Sequence, residues 1–164
     1  TENPDLHEAH VVEANGPFPL ASQSVDLIIS DHVLEHIEFP QAFAAEIERV
    51  LKPGGWLCAR TPVKWGYIGI ATGAVPNPLH VRFLKRLQPS RQAEDVFPTF
   101  YRMNTLSALR EAFPPQRWRN CTYGYNGVPG YHANIPILFR AVEAWCWLMP
   151  RALSAKFHVF VQKL

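Results

Sequence analysis

The segment from residue 25 to residue 61 constrains the fold of this chain more than any other. Residues 25–30 (VDLIIS) are a continuous run of mainly aliphatic and β-branched side chains, which is typical of a strand buried on both faces. Residues 40–51 place apolar side chains at helical spacing, and Lys-Pro-Gly-Gly then ends the helix. Residues 56–61 (WLCART) predict a second strand. A strand, a helix, a glycine turn and a strand in this order predict a crossover unit with parallel strands.

Weaker signals surround this unit. Residues 10–12 indicate a short early strand, and residues 118–125 and 157–163 predict two later strands. Residues 63–104 form a long stretch rich in glycine, proline and aromatic residues. A long insertion in a compact domain is commonly a functional loop or lid, and we expect a short basic helix over residues 79–87 within this one.

Two further helices are predicted in the second half of the chain. Asn104 is a candidate N-cap for a helix that ends near Phe113, before two prolines. Residues 136–149 predict a strongly apolar helix, for which we expect core packing. The alternatives are a subunit interface or a membrane surface, since this helix is shorter than the about 20 apolar residues that span a bilayer.

Length and composition favour one globular domain over residues 1–164. The chain has 164 residues, of which 48% are hydrophobic, and a formal net charge of +2. No basic run suggests a nucleic-acid partner. The three cysteines have no CxxC spacing, which disfavours a disulfide framework and favours the reducing cytoplasm. The chain begins with Thr1 rather than Met, without a signal-peptide pattern, so we expect a domain that is incomplete at its N-terminus.

Residues 17–62 carry a family resemblance. They combine a PFP turn, a strand with an Asp near its start, a VLEH segment, a helix, the sequence RVLKPGG and another strand. This order resembles the class I S-adenosylmethionine-dependent methyltransferases of the broad "type 11" group. The resemblance implies an α/β, Rossmann-like fold: a mostly parallel sheet with helices on both faces. It also implies a ligand crevice at the carboxyl ends of the strands.

The resemblance implies S-adenosylmethionine as the cofactor and two groups of residues that bind it. Ser30, Asp31 and His32 end the first strand, where the family approaches the methionine part of the cofactor. Glu13 and Asn15 follow the early strand, where the family contacts the adenine. The sequence contains no GxGxG or GxGxxG turn. We therefore expect the chain by itself to bind S-adenosylmethionine poorly.

The implied reaction is transfer of the sulfonium methyl group to an acceptor, which we expect to be a small molecule. His32 and His36 are the candidate general bases. Tyr67, Tyr101 and Arg102, all in the insertion over residues 63–104, are candidate acceptor-binding residues. A catalytically silent, methyltransferase-like interaction subunit is an alternative function.

A competing motif covers residues 32–36. The sequence HVLEH matches the HxxEH pattern of one class of zinc hydrolases, in which two histidines share one helical face. The motif directly follows a strand, and Pro40 comes soon after it, so we expect no metal at this segment. We expect instead that Glu35 and His36 form a hydrogen-bonded pair. We expect no transmembrane segment, and residues 136–149 are a candidate for peripheral membrane contact.

Overall fold

The structure is a computed structural model that describes residues 7–13, 16–67, 69–70, 98–127 and 135–164. The helix expected over residues 79–87 lies outside these ranges. One-turn 3₁₀ segments occur at Leu34–His36 and Arg151–Leu153. The strands and α-helices are β1 (Val25–Asp31), α1 (Pro40–Val50), β2 (Leu51–Pro62), α2 (Leu106–Ala112), β3 (Trp118–Asn120), β4 (Tyr123–Tyr125), α3 (Pro136–Leu148) and β5 (Lys156–Lys163).

The described strands form one mixed sheet in the order β1-β2-β5-β3, and β4 also pairs with β5. Strands β1 and β2 are parallel, as the crossover unit predicts, with Ile28 opposite Leu57. Strand β5 runs antiparallel to β2, β3 and β4. The predicted parallel pairing therefore holds for the crossover unit, whereas the C-terminal strands add antiparallel pairs.

The two faces of this sheet differ. One face, here called the packed face, is covered by α1 and α2, whose buried side chains share a core with those of β2 and β5. The opposite face, here called the open face, carries Leu27 and Ile29 of β1, and Ile29 is 76% exposed. Alternating residues of each strand point to opposite faces. The core side chains from the strands are Leu51, Leu57, Ala59, Trp118, Phe157, Val159 and Val161.

Local chemistry defines the helix between the parallel strands. Pro40 occupies the first turn of α1, where its fixed φ suits the helix and its missing N–H costs nothing. The helix buries Ala44, Ile47 and Val50, which follow the predicted helical spacing. Gly54 then adopts φ +80°, a left-handed conformation that explains a glycine at this turn.

Two of the predicted strands differ from the structure. Residues 8–13 are irregular and exposed, so the strand predicted at residues 10–12 is wrong. Within the described part of the chain this short apolar run has no strand to pair with, and Val11 is fully exposed. The strand predicted at 118–125 is divided into β3 and β4, because Asn120 Oδ1 accepts a hydrogen bond from Thr122 N and turns the backbone.

The cap of α2 also differs from the prediction. Thr105, not Asn104, is the N-cap, since its Oγ1 accepts a hydrogen bond from Ala108 N at 3.2 Å. Asn104 is fully buried instead. Its amide nitrogen donates to Thr61 Oγ1 and to Pro62 O, and this ties the start of α2 to the end of β2.

Helix α3 is not a core helix, so the expected core packing of residues 136–149 is wrong. None of its residues is buried, and Ile137 and Trp147 are 81% and 85% exposed. Asn126 fixes the far end of this segment by donating to Cys146 O and accepting from Ala155 N. The helix is therefore held at its connections and leaves apolar side chains at the surface. Within the described residues, no helix is both long enough and apolar enough to cross a membrane.

Candidate functional site

The parallel strands β1 and β2 end at the same border of the sheet, here called the carboxyl edge. Ser30 is buried there, and its Oγ has no hydrogen-bond partner among the described residues. His32 follows with φ +55°, and its backbone N donates to Arg60 O at 2.8 Å. Non-glycine residues adopt this left-handed conformation at a cost, and such residues cluster at functional sites. The turn at His32 leads the chain off the sheet and leaves the end of β1 exposed.

Buried polar groups lie behind this turn. Glu35 is only 5% exposed, yet both of its carboxylate oxygens are paired. Its Oε2 accepts a hydrogen bond from Thr61 Oγ1 at 2.8 Å, and its Oε1 lies 3.1 Å from His32 Nδ1. Asn104 in turn donates to Thr61 at 2.6 Å. A continuous chain of hydrogen bonds therefore runs from the exposed imidazole to the buried start of α2.

These contacts decide the charges at the carboxyl edge. Burial by itself would raise the pKa of Glu35, but hydrogen bonds from His32, the backbone and Thr61 outweigh it and leave that pKa below its ordinary value. The bidentate hydrogen bonds from Arg60, at 2.7 and 2.6 Å, lower the pKa of Asp31. Both carboxylates are therefore ionised at neutral pH.

The imidazole of His32 lies between these carboxylates. Because Glu35 is ionised, its Oε1 accepts a hydrogen bond from His32 Nδ1, and this contact orients the imidazole ring. Nε2 lies 3.9 Å from Asp31 Oδ1, and the His32 side chain is 41% exposed. An oriented imidazole with a free, accessible nitrogen can accept a proton from a neighbouring ligand.

Sequence reasoning assigned the wrong partner to Glu35. The expected Glu35–His36 pair is absent from the hydrogen bonds described for the chain: Glu35 pairs with His32, and His36 Nδ1 donates to Pro98 O at 2.7 Å. The physical reason is that Glu35 and His36 are consecutive residues of the 3₁₀ turn at Leu34–His36 and point to different sides, whereas His32, before this turn, faces Glu35. The i,i+3 spacing of His and Glu in HVLE was the signal that could have identified the pair.

The two histidines of the HxxEH pattern do not share a helical face. His32 belongs to the left-handed turn after β1, and His36 ends the one-turn 3₁₀ segment. Within the described ranges, no group of three or more His, Cys, Asp or Glu side chains could hold a metal ion. This geometry differs from the helical arrangement that a zinc site of this type needs.

The end of the insertion contacts the same edge. The backbone N–H groups of Phe100 and Tyr101 both donate to Glu35 O, at 2.8 and 3.2 Å. Arg102 Nη1 donates to Glu38 O at 2.7 Å, and its guanidinium lies 5.5 Å from the Phe100 ring centre. The structure thus brings Tyr101 and Arg102 beside the segment that follows β1. Tyr67, near the start of the insertion, is half-buried.

The residues expected to contact the adenine do not join this edge by any described contact. Glu13 is exposed on the irregular segment, where its backbone O accepts a hydrogen bond from Gly16 N at 2.9 Å. Asn15 lies outside the described residues. The side chains brought together are therefore Ser30, Asp31, His32 and Glu35.

The first third of the chain is similar to known sequences. Residues 2–59 match the family described as "Methyltransferase domain". An uncharacterized methyltransferase from Mycobacterium ulcerans is 38% identical over a segment that covers 31% of this chain and 24% of that protein. A second, from Mycobacterium marinum, is 36% identical with the same coverage. The chain thus spans about a quarter of the length of the curated relatives that it matches.

Comparison with solved structures gives the fold. A SAM-dependent methyltransferase from Mesorhizobium loti aligns with a TM-score of 0.51 and 12% identity, over 98% of this chain and 71% of that one. A chain of the Haloferax volcanii complex between the Trm112 methyltransferase activator and a methyltransferase aligns with a TM-score of 0.52 and 18% identity, over 99% and 63%. These likenesses confirm the Rossmann-like α/β fold class.

Proposed function

We propose that this chain belongs to the class I S-adenosylmethionine-dependent methyltransferases, which the match over residues 2–59 and the shared fold support, and that its carboxyl edge transfers a methyl group to a small-molecule acceptor. One observation carries this proposal. The unpaired buried hydroxyl of Ser30, the left-handed turn at His32 and the oriented His32–Glu35 pair all lie at the end of β1. In open α/β sheets, ligands bind at this end of the strands.

The residues at this edge fit one end of the cofactor. A buried hydroxyl without a partner is costly, and a polar group of a bound ligand would satisfy Ser30 Oγ. Ser30, Asp31 and His32 would hold the methionine part of S-adenosylmethionine, while Glu13 and Asn15 remain our proposal for the adenine part. The bound cofactor would supply an electrophilic methyl group on a sulfonium centre.

The side chains of the chain itself would position the acceptor and receive its proton. His32 Nε2 would accept the proton of the attacking group, and ionised Glu35 would stabilise the imidazolium that forms. Tyr67, Tyr101 and Arg102, from the described ends of the insertion, would contact the acceptor and exclude water from it. His36 is the second candidate base, although its Nδ1 is engaged by Pro98.

The test uses the protein expressed from its whole reading frame, methyl-labelled S-adenosylmethionine and a panel of phenols, amines and carboxylic acids. We expect labelled product, and about a hundredfold lower kcat in His32→Ala. His10→Ala is the matched control, because His10 also contacts a carboxylate, Glu8, but lies on the exposed irregular segment. Equal kcat for His32→Ala and the wild type would contradict the role of His32.

A non-catalytic, methyltransferase-like interaction subunit is the second candidate. It predicts that the protein from the whole reading frame binds no S-adenosylmethionine in calorimetric titration. Saturable cofactor binding together with labelled product would exclude it.

We also propose that α3 contacts a membrane surface. Its exposed Ile137, Trp147 and Leu148 support this proposal, because apolar and aromatic side chains on a short helix insert into the interface of a bilayer. Trp147→Ala should reduce co-sedimentation with phosphatidylglycerol vesicles, whereas Trp65→Ala, another exposed tryptophan, should not. Equal sedimentation of the wild type and Trp147→Ala would contradict this role.

A further inference from the structure

The open face of the sheet changes character along its strands. Away from the carboxyl edge it carries apolar side chains, with Leu27 opposite Trp56 and Ile29 opposite Cys58. At the carboxyl edge the same face carries Asp31 opposite Arg60. Directly paired residues point to the same face. The ladder continues with His158 opposite Arg60 and Tyr123, and with Lys156 opposite Pro62 and Tyr125.

These side chains form a compact group, here called the basic–aromatic patch, which consists of Arg60, Tyr123, Tyr125, Lys156 and His158. The rings of Tyr123 and His158 are stacked with centres 5.3 Å apart, and Tyr125 contacts His158 edge-on at 5.0 Å. Both tyrosines remain about half exposed, at 46% and 49%. The patch therefore presents aromatic surface and basic groups together, which is typical of sites for small amphipathic ligands.

The charges of the patch are not balanced within the described residues. Arg60 is matched by Asp31 through two hydrogen bonds. Lys156 is half-buried and makes no salt bridge or hydrogen bond to a side chain within the described ranges. Glu35, the other carboxylate that acts on Lys156, is held by His32 and Thr61. Burial and the positive charge of Arg60 lower the pKa of Lys156, which shows that its charge is poorly solvated.

The net charge selects the kind of anion. Burial and the charges of Arg60 and Lys156 lower the pKa of His158, so this imidazole is neutral at neutral pH. Of the two basic groups that remain, Arg60 is paired with Asp31 through two hydrogen bonds. Lys156 is the cation of the patch that has no ion-pair partner among the described residues. A carboxylate, with a single negative charge, matches it better than a phosphate dianion does.

We propose that the basic–aromatic patch binds the carboxylate of a planar small molecule, with Lys156 pairing to the anion and Tyr123 and Tyr125 contacting the ring. This inference rests on the proposed function, because it assigns a chemical class to the methyl acceptor: a planar carboxylic acid. The anion would lie on the open face beside Lys156. The carboxylate is the recognition group of the acceptor.

The test is an NMR titration of the isotope-labelled protein, expressed from its whole reading frame, with benzoate as the probe and benzamide as its neutral isostere. Benzoate should shift the resonances of Tyr123, Tyr125 and His158, and benzamide should bind at least about tenfold more weakly. Lys156→Gln should weaken benzoate binding by about tenfold, and Lys156→Arg should restore most of it. Lys52→Gln is the matched control, since Lys52 lies at the opposite end of β2, paired with Asp26.

Equal binding of benzoate and benzamide, or unchanged benzoate binding in Lys156→Gln, would overturn the proposal. If Lys156→Gln does not fold, Tyr125→Leu serves instead, and unchanged benzoate binding in that variant would overturn it equally. Methyl transfer is measured separately with labelled cofactor. Lys156-dependent benzoate binding in a protein that transfers no methyl group would contradict the proposed function and leave the carboxylate site intact. Methyl transfer that is unchanged in Lys156→Gln would contradict the carboxylate site and leave the proposed function intact.

Discussion

The two faces of the sheet are built from the same strands, yet their side chains differ in burial and in role. On the packed face, Leu57, Phe157 and Val159 are at most 1% exposed and pack under α1 and α2. On the open face, one residue further along each strand, Cys58, His158 and Phe160 are only partly buried. The period of two along a strand separates residues that stabilise the fold from residues that are free to meet a ligand.

The carboxyl edge is the exception to this separation. Thr61 and Asn104 are fully buried on the packed side, yet they belong to the hydrogen-bonded chain that ends at the exposed imidazole of His32. Buried polar groups that are hydrogen-bonded to one another fix a geometry more strictly than apolar packing does. At this edge, therefore, the core also determines the position of the candidate base.

The largest change in stability is expected when a side chain on the packed face is truncated. Phe157→Ala should lower the free energy of unfolding by about 3–5 kcal/mol, because it leaves a cavity in a fully buried site. Phe160→Ala, on the same strand but on the half-buried open face, should cost about 1 kcal/mol. Urea unfolding curves of both variants measure the difference. Equal losses would show that the two faces contribute equally to stability.

The second effect concerns the buried polar chain. Thr61→Val removes the donor to Glu35 and should destabilise the chain by about 1–3 kcal/mol, since the carboxylate then lacks one partner. Thr122→Val is the control, because Thr122 Oγ1 is buried and makes no hydrogen bond among the described residues. That variant should be neutral or slightly stabilising in the same unfolding assay. A loss of stability for Thr122→Val as large as that for Thr61→Val would contradict this account.

The third prediction is a pH dependence of stability. The folded-state pKa of Glu35 lies below the ordinary value of 4.5, and that of Asp31 lies below 3.8. Groups with a lowered pKa stabilise the fold above their unfolded-state pKa, and this stabilisation is lost as the pH falls through the lowered pKa. The free energy of unfolding should therefore decrease below about pH 4.5. Glu35→Gln should reduce this decrease, and an identical pH profile in that variant would contradict the assignment.

The smallest effect on stability is expected at the strained turn. His32→Gly removes the hydrogen bond with Glu35 but relieves the left-handed strain at φ +55°, so the free energy of unfolding should change by no more than about 1 kcal/mol. Methyl transfer should nevertheless be lost. A decrease of several kcal/mol in the free energy of unfolding would show instead that His32 has a structural role, as the residues of the packed face have.

The crossover unit could be predicted from the sequence because its signals are local. A continuous aliphatic run, Pro40 at a helix start and Lys-Pro-Gly-Gly at its end each act within a few residues. The predictions that are wrong concern segments whose packing partners are distant in the sequence or absent from the described residues. Residues 10–12 have the composition of a strand but no neighbour among the described residues to pair with. The apolar composition of helix α3 does not distinguish a helix packed in the core from one exposed at the surface.

The candidate site was only partly predictable for the same reason. The position of Ser30, Asp31 and His32 follows from the end of a parallel strand, which the sequence indicates. The contact of Thr61 with Asn104 joins residues 43 positions apart, and no spacing rule points to it. Asparagine and threonine are both common at helix N-caps, and only the burial of Asn104 distinguishes its role from that of Thr105.

The most direct test of the central claim, that the carboxyl edge is the methyl-transfer site, is a backbone NMR titration with S-adenosylmethionine. The protein from the whole reading frame is used, so that the cofactor site is tested in its natural context. The largest shifts should fall at residues 30–35, while the resonances of α3 should not move. Saturable binding that leaves residues 30–35 unchanged would contradict the account.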